Sequence, residues 1–211
     1  MNWFGELCGG TYLELGGLDG KRYSNTYVFN KALGWKGVLI ELRRDLFAQM
    51  VTNRPDEIAL INAGVCDKPQ TVHAFYSPAR AVGGIHEFAS PSLREYWSAG
   101  IELKNDPRVE AIQCDTLDNL LLLNSPEARY FDFLTIDLVG AELAALRSID
   151  YDRTRFGIIL VATEDYNELK NMAMRQLLVK KGYSFIFERD HSYWFANLNF
   201  NEIYQEIIFN V

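Results

Sequence analysis

The chain has 211 residues, enough for one domain with a substantial core and too few for two ordinary ones. Its formal net charge of −7, without a dense basic run, disfavours a nucleic-acid partner, because affinity for phosphates rests on lysine and arginine. Hydrophobic residues make up 48% and charged residues 23%, an ordinary balance for a soluble globular protein, and no apolar run reaches the roughly 18 residues of a membrane helix.

Met1–Glu6 lacks a basic stretch followed by an apolar one, so no signal peptide is expected. Thr11–Leu15 reads as an apolar strand that breaks into Gly16, Gly17 and Gly20, with a helix start at Ser24-Asn25-Thr26. Strand, glycine turn and helix is how an open α/β sheet builds a nucleotide pocket. The spacing is G-G-x-x-G, so the G-x-G-x-x-G dinucleotide fingerprint is not met. Glu14 and Asp19 flank the turn. Carboxylates repel a pyrophosphate and suit a ligand with an ammonium group and ribose hydroxyls, as in S-adenosylmethionine (SAM). A plain strand-turn element is the competing reading.

The first helix is expected to carry Val28, Ala32 and Trp35 on one face and to exit at Gly34. The second strand, Val38–Glu41, ends in an acid 21 residues after Gly20, placed to accept from ribose hydroxyls. A helix with Leu46, Phe47, Met50 and Val51 ends before Pro55, and Ile58–Asn62 is the third strand. This β-α-β-α-β alternation predicts a parallel sheet. Thr71–Tyr76 reads as a further strand. Residues 77–108 form a loop-rich insertion with a short helix at Ser92–Ala99; it holds Arg80, His86, Arg94, Tyr96 and Trp97 and reads as a lid. Val109–Gln113 is a strand, and a helix with an acidic first turn starts at Asp115. Phe133–Asp137 and Gly157–Val161 are the fourth and fifth strands of the sheet. Between them lies a helix with Glu142, Leu143, Leu146 and Arg147. A helix over Asn167–Lys181 is expected to turn Leu169, Met172, Ala173 and Leu177 inward. Tyr183–Phe187 and Glu206–Val211 read as the last two strands. With no repeat or linker, residues 1–211 are expected to be a single domain.

Several motifs recur together in a known order: Leu13-Glu-Leu-Gly-Gly-Leu-Asp-Gly20, Tyr23-Ser-Asn-Thr26, Leu33–Glu41, Asn53-Arg-Pro55, Asn62–Cys66, Thr116-Leu-Asp118 and Asp132–Glu142. Together they resemble the FkbM family of SAM-dependent methyltransferases, over about residues 11 to 190. The resemblance implies a class I methyltransferase Rossmann-like α/β fold, with a mostly parallel seven-stranded sheet, an antiparallel last strand and helices on both faces. It implies SAM as cofactor, bound by Glu14, Gly16, Asp19, Gly20, Ser24, Asn25, Thr26, Glu41, Asn62, Ala63 and Asp137. Asn62 and Ala63 would flank the adenine; a turn-capping role is the alternative for Asn62.

Asp137, ending the fourth strand, is the candidate general base for methyl transfer to a hydroxyl of a small molecule or sugar, with a positioning role as the alternative. His86, in the lid, is a second candidate base. His191, in a polar-aromatic loop, is a candidate for lining the acceptor site, and His73 reads as structural. The sequence departs from the family at two places. The family pattern Asp-x-Glu-Gly-x-Glu reads Asp137-Leu-Val139-Gly140-Ala141-Glu142, and Ala162 stands where an acid commonly closes the fifth strand. Either Glu164 or Asp165 compensates, or the active site is altered, or the chain binds SAM without ordinary catalysis. A nicotinamide-dependent oxidoreductase is the third reading, disfavoured by the missing fingerprint. Asp137 with Glu164 or Asp165 offers oxygen ligands for Mg²⁺, but the spacing is loose and no metal is expected. Cys8, Cys66 and Cys114 show no metal or disulfide spacing; Cys66 and Cys114 read as buried thiols, which fits a reducing cytoplasm.

Overall fold

The computed structural model describes residues 4, 7–76, 83–97, 106–165 and 167–200. In chain order the elements are β1 (Thr11–Leu15), α1 (Tyr27–Leu33), β2 (Lys36–Glu41), α2 (Arg44–Asn53), β3 (Ala59–Asn62), β4 (Gly64–Val65), β5 (Gln70–Tyr76), β6 (Gly83–Ile85) and α3 (Pro91–Trp97). There follow β7 (Val109–Asp115), α4 (Leu117–Asn124), β8 (Tyr130–Ile136), α5 (Glu142–Arg147), β9 (Arg155–Ala162), α6 (Glu168–Lys180), β10 (Tyr183–Arg189) and β11 (Ser192–Asn197).

Seven strands form the main sheet in the order β10-β11-β9-β8-β1-β2-β3. All neighbours from β9 to β3 pair in parallel, and β11 runs antiparallel to both β9 and β10. The chain leaves β1 in one direction through β2 and β3, then returns to its other side with β8. The boundary between β1 and β8 is therefore the topological switch point, where such sheets open a crevice at their carboxyl ends.

The period-two pattern explains the two cores. Leu13 and Leu15 of β1 face one side, with Leu134 and Ile136 of β8 and with α4, α5 and α6. Tyr12 faces the other, with Leu39, Trp35 and Phe133 and with α1 and α2 packed over them. Each fully buried aliphatic side chain contributes roughly 1.5–3 kcal/mol, so the sheet holds its register strongly.

Several expectations on the helices are corrected. Helix α1 has no buried residue: Val28 is exposed, Ala32 is exposed, and Trp35 lies beyond the helix and is buried. Phe29 and Leu33 make the half-buried contact instead. Gly34 does exit the helix, with φ +66°. In α2, Leu46 and Met50 are buried and Val51 is exposed. The buried face of α6 carries Met174 and Leu178, whereas Leu169 and Met172 are exposed. Apolar spacing on a short helix fits two neighbouring faces, and the packing of the sheet selects one. Among the described residues the last strand is β11, Ser192–Asn197, which begins inside Arg189–Trp194, the stretch read as a polar-aromatic loop; Glu206–Val211 lies outside the described residues.

Strands β4, β5, β6 and β7 form a separate four-stranded sheet, order β4-β7-β5-β6. The stretch 77–108 contributes β6 and α3; Arg80 lies outside the described residues. Cys66 and Cys114 are paired in a disulfide, with Cα atoms 5.9 Å apart. Both were expected as free thiols. Parallel pairing of β4 with β7 sets Gly64 opposite Cys114, which brings together two cysteines 48 residues apart. Cys8 is free and exposed.

Candidate functional site

A cavity of about 340 Å³ opens at the switch point. Its walls come from four carboxyl ends: Gly16 and Leu18 after β1, Ile40 and Glu41 at the end of β2, Ala63 after β3, and Asp137 and Val139 after β8. Gly83–Ile85 of β6 close one side.

Glu41 is 5% exposed. Its two carboxylate oxygens accept from the backbone N–H groups of Leu18 (2.9 Å) and Arg43 (2.8 Å), and each keeps lone pairs for a further donor. Burial pushes its pKa up to about 7, against the pull of those two N–H groups. Asp137 has no side-chain hydrogen bond to any described residue. Surrounding protein, then the negative charges of Glu142 and Glu14, push its pKa up to about 6. Solvent nonetheless reaches the side chain through the open cavity, and that water tempers the push.

Glu14 does not line the cavity. It is buried and accepts from Ser24 Oγ (2.8 Å), Asn25 N (2.8 Å) and Thr26 Oγ1 (2.5 Å). Burial raises its pKa, opposed by those donors. The Ser24-Asn25-Thr26 segment therefore folds around Glu14; the Thr26 hydroxyl is spent there and does not cap α1. Asp19 likewise turns inward, accepting from Lys21 N, Arg22 N and Arg22 Nε. Burial raises its pKa, but the Arg22 guanidinium and the backbone donors outweigh it, so the net shift is downward. Asn62 donates to the carbonyls of Glu41 and Leu42. Gly20 gives its carbonyl to Arg54, and its φ of +74° needs glycine. Gly16, at φ +86°, lets the backbone of β1 touch β8: an added Cβ would stand 2.0 Å from the carbonyl oxygen of Asp137. Of the sequence candidates, then, Gly16, Glu41, Ala63 and Asp137 line the cavity. Glu14, Asp19, Gly20, Ser24, Thr26 and Asn62 build its frame, while Asn25 faces a second cavity.

His86 is not among the lining residues; it follows β6, and its pKa is lowered by burial and then by Arg94. His191 sits at φ +56° in the β10–β11 turn and pairs with Asp165 at 3.0 Å. Glu164 is committed elsewhere as well: Lys170 Nζ lies 3.0 Å from Glu164 and 2.5 Å from Glu142 in a buried triad. Neither Glu164 nor Asp165 is among the residues lining the cavity. No cluster of three metal-ligating residues exists among the described residues.

Two features escaped the sequence reading. Arg54 is buried against Glu57 at 2.6 Å and bonds Tyr12, Thr26 and Gly20, tying α2 to the glycine turn. Val139, a β-branched residue, holds φ +49°, with Glu142 accepting from the flanking N–H groups of Leu138 and Gly140. Proline in Asn53-Arg-Pro55 signalled the helix end, and nothing signalled the arginine's burial.

A family model for the methyltransferase FkbM domain matches residues 14–185. The chain belongs to this family. Fibrillarin of Aeropyrum pernix, in complex with natively bound SAM, is similar at 12% identity, over 90% of this chain and 68% of that one, with a TM-score of 0.50. A methyltransferase from Pyrococcus furiosus is similar at 15% identity, over 90% of this chain and 76% of that one, with a TM-score of 0.44. No curated protein matches the chain. The strand order and the family together make this a class I methyltransferase fold, and membership implies use of SAM.

Proposed function

We propose that this FkbM domain binds SAM in the 340 Å³ cavity and catalyses methyl transfer to a hydroxyl of a small molecule or sugar. The residues present fit the cofactor. Glu41 offers free lone pairs for ribose hydroxyls, and Ile40, Val65 and Ile85 offer apolar walls for the adenine beside Ala63. The carboxylates suit a cationic ligand. Arg43 lines the cavity but is engaged by Asp45 at 2.6 Å, which leaves it poorly placed for a pyrophosphate and disfavours a nicotinamide cofactor. SAM supplies an activated methyl group, so the protein's task is mainly to hold the acceptor in line, worth about 7–11 kcal/mol.

The observation that carries the reading is Asp137: a carboxylate on the cavity wall without a hydrogen-bond partner among the described residues, with a pKa raised to about 6. Such a group accepts a proton from an acceptor hydroxyl at neutral pH. Asp137→Asn keeps the shape and removes the basicity. Against a panel of hydroxyl acceptors it should cut methyl transfer by ~10²-fold or more while SAM affinity changes far less. Turnover that survives the substitution would remove Asp137 from the mechanism.

A second reading, SAM binding without turnover, is favoured by Val139 and Ala162 together with the commitment of Glu164 to Lys170. It expects SAM binding, no turnover across the panel, and some gain from Val139→Glu. The location we propose is the cytoplasm, where a soluble metabolite serves as methyl donor. The Cys66–Cys114 pair stands against it. Alkylation of both cysteines on lysis of cells into denaturant with the alkylating agent would support the cytoplasm, and recovery of the pair as a disulfide would refute it.

A further inference from the structure

A second cavity, of about 410 Å³, lies toward the carboxyl end of β9, on the face of the sheet that carries Tyr12 and Phe133. Leu160 of β9, Phe187 of β10 and Trp194 of β11 give it apolar walls. The Phe187 and Trp194 rings lie 5.7 Å apart at 31°. Polar groups stand around them: the Asn25 amide, the Ser192 hydroxyl and the exposed Arg189–Asp190 pair, 3.3 Å apart. Apolar rings with a few polar groups at their edge are the usual make-up of a small-molecule site.

The cavity is tied to Asp137 through bonded neighbours. Asn25 Nδ2 donates to Thr135 Oγ1 at 2.9 Å, and Thr135, near the end of β8, precedes Asp137 by two residues. The backbone N–H of Asn25 is held by Glu14, whose charge acts on Asp137. Asn25 thus ends the glycine turn on one side and borders the second cavity on the other.

We propose that this second cavity is the acceptor subsite, and that it takes a hydroxylated ring with an apolar face, such as a pyranoside. The proposal rests on the methyl-transfer reading. The C–H face of such a ring lies against Trp194 and Phe187, as apolar surface does on aromatic rings. Its edge hydroxyls meet Asn25, Ser192 and Asp190, which between them donate and accept. One hydroxyl directed across the β8 end then faces the Asp137 carboxylate.

The test has two arms. Calorimetry with S-adenosylhomocysteine (SAH) reads the cofactor site. Saturation-transfer NMR with methyl β-D-glucopyranoside and methyl α-L-rhamnopyranoside reads the second cavity, with and without SAH. We expect ring C–H signals from at least one pyranoside, reduced about fivefold or more in Ser192→Trp, which fills the cavity, and in Asn25→Ala. SAH binding by each variant serves as the folding control. SAH binding with no pyranoside signal, or with a signal that survives Ser192→Trp, overturns the acceptor proposal and leaves the cofactor reading standing. Pyranoside binding that Ser192→Trp abolishes, in a protein that fails to bind SAH, overturns the methyltransferase reading and with it the acceptor role.

Discussion

The proposed cofactor site predicts a pH dependence of binding through Glu41. Its carboxyl is buried, with a pKa raised from the ordinary 4.5 to about 7, burial being the largest cause. The sign follows. The folded state holds its proton more tightly than the unfolded state, so this group's contribution to stability is fully present below pH 4.5 and is lost as pH rises through 7. At 1.36 kcal/mol per pH unit the whole effect is about 3 kcal/mol. Ligand binding runs the other way. In the proposed complex ribose hydroxyls would donate to the ionised carboxylate, so binding would draw off the proton. Between pH 5.5 and 7 the SAH dissociation constant should fall nearly tenfold per unit, then level above pH 8. Calorimetry across pH 5.5–8.5 measures this, with Asp137→Asn as a background that removes the other titrating wall residue. Glu41→Gln should bind SAH about 10- to 150-fold more weakly at pH 8, the equivalent of 1.5–3 kcal/mol, with a flat profile. A flat wild-type profile, or the same slope in Glu41→Gln, would refute the reasoning.

Lys170→Met leaves Glu142 and Glu164 buried without their shared cation, and should cost about 3–5 kcal/mol in urea unfolding; a loss under 1 kcal/mol would show the triad to be dispensable. Val139→Gly relieves a β-branched residue at φ +49° and should stabilise the protein by about 1 kcal/mol, read as a higher thermal midpoint; a lower midpoint would mean that the side chain's packing outweighs the strain. Reduction of Cys66–Cys114 opens a 48-residue loop and should cost up to about 4 kcal/mol, with only Cys8 alkylated beforehand. Three alkylated cysteines in the unreduced, folded protein would sink that expectation.

The sequence by itself determined the parallel strands of the sheet and the acids at their ends. Strand residues alternate between two cores, and this local pattern, with Gly16 and Gly20 breaking β1 from α1, places Glu41 and Asp137 at the carboxyl ends. What it left open was where each side chain finds its partner. Glu14 and Asp19 look like ligand contacts in the sequence. In the fold they are consumed by Ser24, Asn25, Thr26 and Arg22, because a buried carboxylate must be satisfied and those donors lie closest. Arg54 is polar in sequence and deeply buried in structure, since Glu57, Tyr12 and Thr26 converge on it from three separate segments. Glu164 could have replaced the lost acid until Lys170 of α6 was seen to hold it beside Glu142. Cys66 and Cys114 meet only because β4 pairs with β7. Backbone pattern is a local property and is written in spacing. The partner of a buried charge is set by which distant segments the sheet brings within about 3 Å, and only the tertiary structure decides that.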